Sequence, residues 1–386
     1  MRIVIATGIF PPDIGGPATY SKLLAEELIK HGHKITIVTY GEHESRIRNY
    51  ESGGQNKNLQ IVFRSLPKSI RHLLYFWKIL RYGYNADVIY AQDAVSAGFP
   101  AMVAAWILGK RFFLKVVGDH AWEQGMQRFG VSDLLDDFLA KKYGIRIALL
   151  RFFQMRTAKR AEKIVVPSTY LKSVVERWGI SSERIMVIPN AISLPNIIPT
   201  KEEARRMLGL DGFVLVTIGR LVPWKGFQML VELMPKLCEV IPNVKLVIIG
   251  SGPEERNLQL TTYNLQLPVT FTGAIPKEKL LQYLAAADVF LLNTSYEGFS
   301  HQLIEAMAIG VPVITTHAGG NKELVRDGEN ALVAEYNNPE SWKDGILRLY
   351  GDEALRQKFQ ECNADSIKKY SAEEMVSKIE SLFHNS

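Results

Sequence analysis

Short apolar runs at residues 3–6, 35–39, 61–63, 88–90, 112–117, 164–166 and 186–188 alternate with longer stretches whose apolar positions recur at helical spacing. Uninterrupted runs of Val, Ile, Leu and Phe suit strands buried on both faces, and strands separated by helices build parallel sheets. The rhythm stops at Pro189-Asn190 and the proline-rich segment SLPNIIPT, residues 193–200. It resumes with runs at 214–218, 246–249, 269–272, 289–292 and 311–315. The pattern predicts an α/β chain of two Rossmann-like, doubly wound parallel-sheet domains, residues 1–192 and 193–369, facing a cleft at the carboxyl ends of both sheets. Residues 339–386 read as helical, and Ser371 followed by AEEMVSKIESLF predicts a capped amphipathic helix. Segment 370–386 is expected to pack back on the N-terminal domain.

Composition agrees with a globular chain that buries a substantial core: 386 residues, 47% hydrophobic and 22% charged, which excludes disorder. Cys238 and Cys362 alone make neither a disulfide framework nor a metal cluster, so reduced thiols and a cytoplasmic location are expected. The run after Arg2 is broken by Gly8 and two prolines and reads as a strand, not a signal peptide. The apolar stretch at 97–109 is too short to span a bilayer. Any membrane contact is therefore expected to be peripheral.

Charge divides unevenly: residues 1–195 hold 27 Lys and Arg against 16 Asp and Glu, and the remainder 19 against 24. A basic first half suits an anionic partner. Residues 67–84 interleave Lys68, Arg71, Lys78 and Arg81 with Leu73, Leu74, Phe76 and Trp77, predicting a basic amphipathic helix that can lie on an anionic membrane surface. Residues 141–163 form a second basic stretch. No nucleic acid partner is expected.

Candidate chemistry clusters after the strands. Gly15 and Gly16 open a helix with Pro17 in its first turn, leaving backbone N–H groups open to a diphosphate. In TIGRLVPWKG, Arg220 and Lys225 follow a strand, and two cations there can offset a diphosphate's charge. The segment beginning NTSYEGFSHQLIEAM carries Glu297 and Glu305 eight residues apart. Ser300 reads as the cap of a helix that Gly310 ends, which puts Glu297 in a loop and Glu305 within the helix. The two carboxylates then accept hydrogen bonds from separate sets of hydroxyls rather than forming an acid and base pair. Gly250-Ser-Gly252 hints at a dinucleotide fold, but Glu255 stands at the third glycine position and argues against an oxidoreductase.

Taken in order, the GG turn, Gly219-Arg220 with Lys225-Gly226, the E-x7-E motif and AGGNKELVRDGENALV resemble the retaining glycosyltransferases of family four, also called glycosyl transferases group 1, across nearly the whole chain. The resemblance implies a GT-B fold with an acceptor-binding first domain and a nucleotide-sugar-binding second one. It implies metal-independent transfer, without cofactor, of a sugar from a UDP- or GDP-sugar to a hydroxyl on a lipid-linked or polysaccharide acceptor. Arg220 and Lys225 would bind the donor diphosphate, Glu297 the sugar and Glu305 the ribose. Main-chain groups from Gly273 through Ala274 to Ile275 would hold the base, and Gly15, Gly16, Gly219, Phe299, Ser300 and His301 would also contact donor. In KVVGDHAWEQG, His120 matches the histidine that approaches the reacting sugar, with Asp119 the alternative if the register shifts by one. Two departures are Asn293-Thr294, where the family usually has Leu-Pro, and Ala331 in place of glycine. A sugar-nucleotide epimerase or a catalytically silent sugar-nucleotide binder are the competing readings.

Overall fold

The computed structural model describes residues 1–42, 57–192, 194–195 and 197–385. Ser193 and Asn196 of the expected boundary segment, and Ser386, lie outside them. The chain forms two compact units, Met1–Ala191 with Tyr370–Ser386, and Ile192–Lys369.

The first unit holds β1 (Arg2–Ala6), β2 (Lys34–Gly41), β3 (Lys57–Phe63), β4 (Val88–Ala91), β5 (Arg111–Lys115), β6 (Ile164–Val166) and β7 (Ile185–Val187). They pair in parallel in the order β3-β2-β1-β4-β5-β6-β7. The order reverses between β1 and β4, the switch point at which such sheets open a crevice at their carboxyl edge. Ile3, Ile5, Val88 and Tyr90 are buried in one cluster with Leu24 and Leu28 from the helix Gly16–Lys30. The helix Ala372–Asn385 joins this core: Phe383 meets Tyr90 and Phe113 edge-on, and Glu380 accepts from His31 and His33. On β5 the ammonium of Lys115 is buried, donating to Asn190 Oδ1 at 2.9 Å and lying 3.2 Å from the Tyr20 ring centroid. Burial pushes its pKa well down.

The second unit holds β8 (Phe213–Ile218), β9 (Val244–Ile249), β10 (Val269–Gly273), β11 (Val289–Leu292), β12 (Val313–Thr315) and β13 (Leu332–Val333), all parallel, in the order β10-β9-β8-β11-β12-β13. Every residue of β8 is buried, as a central parallel strand covered on both faces requires. β12 starts two residues after the apolar run at 311–315 begins, because Pro312 has no N–H to give the ladder. β5 likewise stops at Lys115 within the run at 112–117. Since all six strands of this unit point the same way, their following loops share one edge, and the candidate residues of this half sit on that edge.

Candidate active site

Two cations and a steric constraint follow β8. Arg220 is exposed, one residue past Gly219, whose N–H donates to Ile249 O at 3.0 Å. The loop after β9 presses directly on this segment. A Cβ on Gly250, which has φ +133°, would lie 2.0 Å from Gly219 O, and one on Gly252 would lie 2.3 Å from Leu221 O. These glycines let two backbones touch, with Leu221 N–H donating to Ser251 O at 3.0 Å. The Gly-Ser-Gly pattern therefore has a packing explanation independent of any dinucleotide.

Lys225 ends a short turn, Pro223–Lys225, and donates to Glu297 Oε1 from the loop after β11. Both side chains are mostly buried, at 12% and 13% exposure. Asn293 explains why they meet. Its Nδ2 donates to Gly226 O at 2.9 Å and to Asn337 Oδ1 at 2.8 Å, while its Oδ1 accepts from Asn337 N–H at 3.2 Å. Ser295 N–H adds a bond to Trp224 O at 2.9 Å. The residue that departs from the family's usual Leu-Pro thus ties together the loops bearing Lys225 and Glu297. No room remains for a side chain at Gly226, where a Cβ would sit 2.2 Å from Asn293 Nδ2.

Glu305 stands apart from that pair. It lies within the helix His301–Ile309, which Ser300 caps by accepting from Leu303 N–H at 3.3 Å and which Gly310 ends in the left-handed region. The carboxylate is buried and bonded to Lys277, the first residue of the helix Lys277–Ala286. Burial pushes its pKa up and the Lys277 ammonium pulls it down. Sequence reasoning missed Lys277, whose only signal is its place just after residues 273–275. Gly273 there has φ +65°, and its carbonyl accepts from Gly250 N–H at 2.9 Å. Ala274 is exposed, Ile275 and His301 are half-buried, and Phe299 and Ser300 are buried. Gly320 N–H donates to Glu297 O at 2.8 Å, bringing the segment after β12 to the same edge. Each glutamate is thus an acceptor held by a lysine, a geometry that hydroxyl groups of a ligand can join. Among the described residues no group of three His, Cys, Asp and Glu side chains could hold a metal ion.

In the first unit Gly15 caps the helix Gly16–Lys30 with φ 153°, and Ala18 N–H bonds to its carbonyl at 3.0 Å. His120 begins the helix His120–Arg128 after β5. Burial pushes its pKa down, only partly opposed by the Asp93 and Asp119 carboxylates, which favours the uncharged ring. Asp119 is buried and fully occupied as the cap of that helix. It accepts from Trp122 N–H at 2.9 Å, Gln154 Nε2 at 3.0 Å and Trp178 Nε1 at 3.1 Å. Burial raises its pKa against the pull of these three donors. Replacing Asp119 with alanine removes one cap and strands two buried donors, partly offset by no longer burying a charge. A loss of about 2–4 kcal/mol in stability is expected; a melting temperature within about a degree of the parent would contradict this account.

Two family profiles match the chain: glycosyl transferases group 1 over residues 200–365, and glycosyltransferase family 4 over residues 14–195. A phosphatidylinositol N-acetylglucosaminyltransferase subunit from Arabidopsis thaliana is 26% identical over 342 residues, covering 85% of this chain and 70% of that one. A GDP-mannose-dependent alpha-(1-6)-phosphatidylinositol monomannoside mannosyltransferase from Mycolicibacterium smegmatis is 26% identical over 365 residues, covering 91% and 88%. The crystal structure of Anabaena HepE in complex with UDP and glucose shares the fold with a TM-score of 0.80, at 18% identity and full coverage of both chains. With its two parallel-sheet α/β domains, the chain belongs to the group 1 glycosyltransferase family.

Proposed function

We propose that this glycosyltransferase moves a sugar from a nucleoside diphosphate donor, a UDP- or GDP-sugar, to a hydroxyl acceptor with retention at the anomeric carbon and without a metal. The observation that carries the reading is the shared edge of the second sheet, where Arg220, the Lys225–Glu297 pair and the Lys277–Glu305 pair follow β8, β10 and β11. In this reading the bond from the sugar's anomeric carbon to the diphosphate oxygen breaks and a bond to the acceptor oxygen forms. The acceptor's proton passes to a phosphate oxygen of the departing diphosphate. Arg220 and Lys225 stabilise the charge growing on that diphosphate, where fixed cations do most for a barrier. Glu297 accepts from the sugar's hydroxyls and Glu305 from the ribose. The backbone at 273–275 holds the base. His120 is the group assigned to the reacting sugar, since the carboxylate of Asp119 is taken up by its three donors.

A lipid-linked hydroxyl is the proposed acceptor class. The names of the two relatives, both referring to phosphatidylinositol compounds, support it. The protein works in the cytoplasm on this reading.

A panel of nucleotide sugars tests the donor assignment by thermal shift and slow release of free nucleotide. Stabilisation with nucleotide release is expected for one UDP- or GDP-sugar, unaffected by a chelator. Stabilisation without release under any acceptor would instead favour a silent binder, and release that a chelator abolishes would refute the metal-free mechanism.

A further inference from the structure

Three helices pack side by side over β1 to β5 of the first unit: Lys68–Gly83, Gly98–Leu108 and Ile145–Arg160. Their outer surface exposes several large apolar side chains. In Lys68–Gly83, Tyr75 and Ile79 are buried toward the sheet, yet Ile70, Leu73, Leu74 and Trp77 are exposed on the opposite side. Their spacing of three, four and seven residues makes a second apolar stripe turned to solvent. The helix Ile145–Arg160 repeats the arrangement. Ile147 and Gln154 point inward, while Ile145, Leu149 and Phe152 line an exposed stripe that continues into Arg156, Lys159 and Arg160.

The middle helix bridges the two. Its exposed Trp106 lies under the Arg160 guanidinium, 6.0 Å from the ring centroid, and Phe99 meets Phe153 edge-on at 4.8 Å. At its other side Leu108 closes on Gly83, where a Cβ would lie 3.1 Å from Leu108 Cδ1. Trp77 is 60% exposed and Trp106 67%. Scattered exposed apolar residues are normal, but exposed apolar side chains on three adjacent helices mark an interaction surface.

Charge identifies the partner. Lys68–Gly83 carries four Lys and Arg, Ile145–Arg160 carries five, and none of the three helices has an Asp or Glu. Aromatic and aliphatic side chains among cations, with no acid between them, match a surface whose interior is apolar and whose face is negative. We propose that this three-helix face seats the first unit on an anionic lipid bilayer, inserting Trp77, Trp106 and Phe152 at headgroup depth. The proposal uses none of the residues assigned to the donor, and holds whichever donor the enzyme uses.

Flotation of the full chain with phosphatidylglycerol-containing vesicles, and with phosphatidylcholine alone, tests it directly. Binding to the anionic vesicles, weakened by salt, is expected, with little binding to phosphatidylcholine. Tryptophan emission gives a second readout, because Trp122, Trp178, Trp224 and Trp342 are buried and a blue shift on binding would come from Trp77 and Trp106. The pairs Leu73→Glu with Trp77→Glu, and Leu149→Glu with Phe152→Glu, should each weaken partitioning at least about tenfold. The pair Arg156→Gln with Lys159→Gln should flatten the salt dependence. Because these side chains are exposed, melting temperatures should stay near the parent's. No flotation at low salt, or flotation unchanged in both Glu pairs, would overturn the proposal. So would a dimer that the same substitutions dissolve while vesicles bind nothing, since the face would then belong to a second copy of the chain.

Discussion

Replacing Lys225 with alanine is expected to lower kcat/KM by about 10²–10³-fold, equivalent to about 3–4 kcal/mol of barrier. Lys225 has two roles that the variant separates. As a point charge it opposes the developing negative charge of the leaving diphosphate, a contribution greatest in the transition state. As the partner of Glu297 it keeps a mostly buried carboxylate neutralised and aimed. Loss of the first role lowers kcat, whereas loss of the second raises KM for the donor, so steady-state kinetics on one donor distinguishes them. Lys225→Arg keeps the charge but must fit a guanidinium where the lysine stem already lies 3.7 Å from the Cβ position of Gly219. Partial rescue of kcat by arginine would support the charge role. Turnover near the parent level in Lys225→Ala would remove the diphosphate assignment altogether.

The second large effect falls on stability. Gly250→Ala combines a backbone at φ +133° with a methyl group 2.0 Å from Gly219 O, and β9 cannot recede without breaking its ladder with β8. Backbone strain and overpacking together should cost about 2–5 kcal/mol. In calorimetry the transition of the second unit should fall by about 5–15 °C. Activity should fall too, because Gly219 is the residue before Arg220. If these glycines existed to admit a dinucleotide pyrophosphate, alanine would instead leave melting unchanged and alter only ligand binding. That outcome would contradict the close-approach account.

The parallel sheets are legible in the sequence because strands covered on both faces must be nearly all apolar, as VFLL of β11 and FVLVTI of β8 show. β13 escapes notice for the opposite reason. Two residues, Leu332 and Val333, are too few to make a pattern. Capped helices are equally plain, since Ser300 and Gly310 bracket their helix by local backbone chemistry. What a linear reading lacks is partnership across the fold. Lys277 precedes Glu305 by 28 positions, and nothing in either neighbourhood names the other. Asn293 reads as a mere departure from a familiar motif, whereas its amide joins Gly226 to Asn337. Sidedness is hidden as well. In Lys68–Gly83 apolar residues occupy two opposite faces, and composition cannot say that Tyr75 goes inward while Trp77 stays out. The candidate charges are readable one by one, but their pairings require three dimensions.

The route of the chain through its two units has a consequence for synthesis. The first unit begins at Met1 but is complete only when the helix carrying Glu380 and Phe383 is added, after all of Ile192–Lys369 has been translated. At about 5–20 residues per second, the nascent first sheet waits roughly 10–35 s with the places for Phe383 beside Tyr90 and Phe113 unfilled. The second unit, contiguous in sequence, can close while that wait lasts. A nascent chain still lacking the helix Ala372–Asn385 would therefore carry a first unit with an open core, and chaperone capture during translation should fall on that unit.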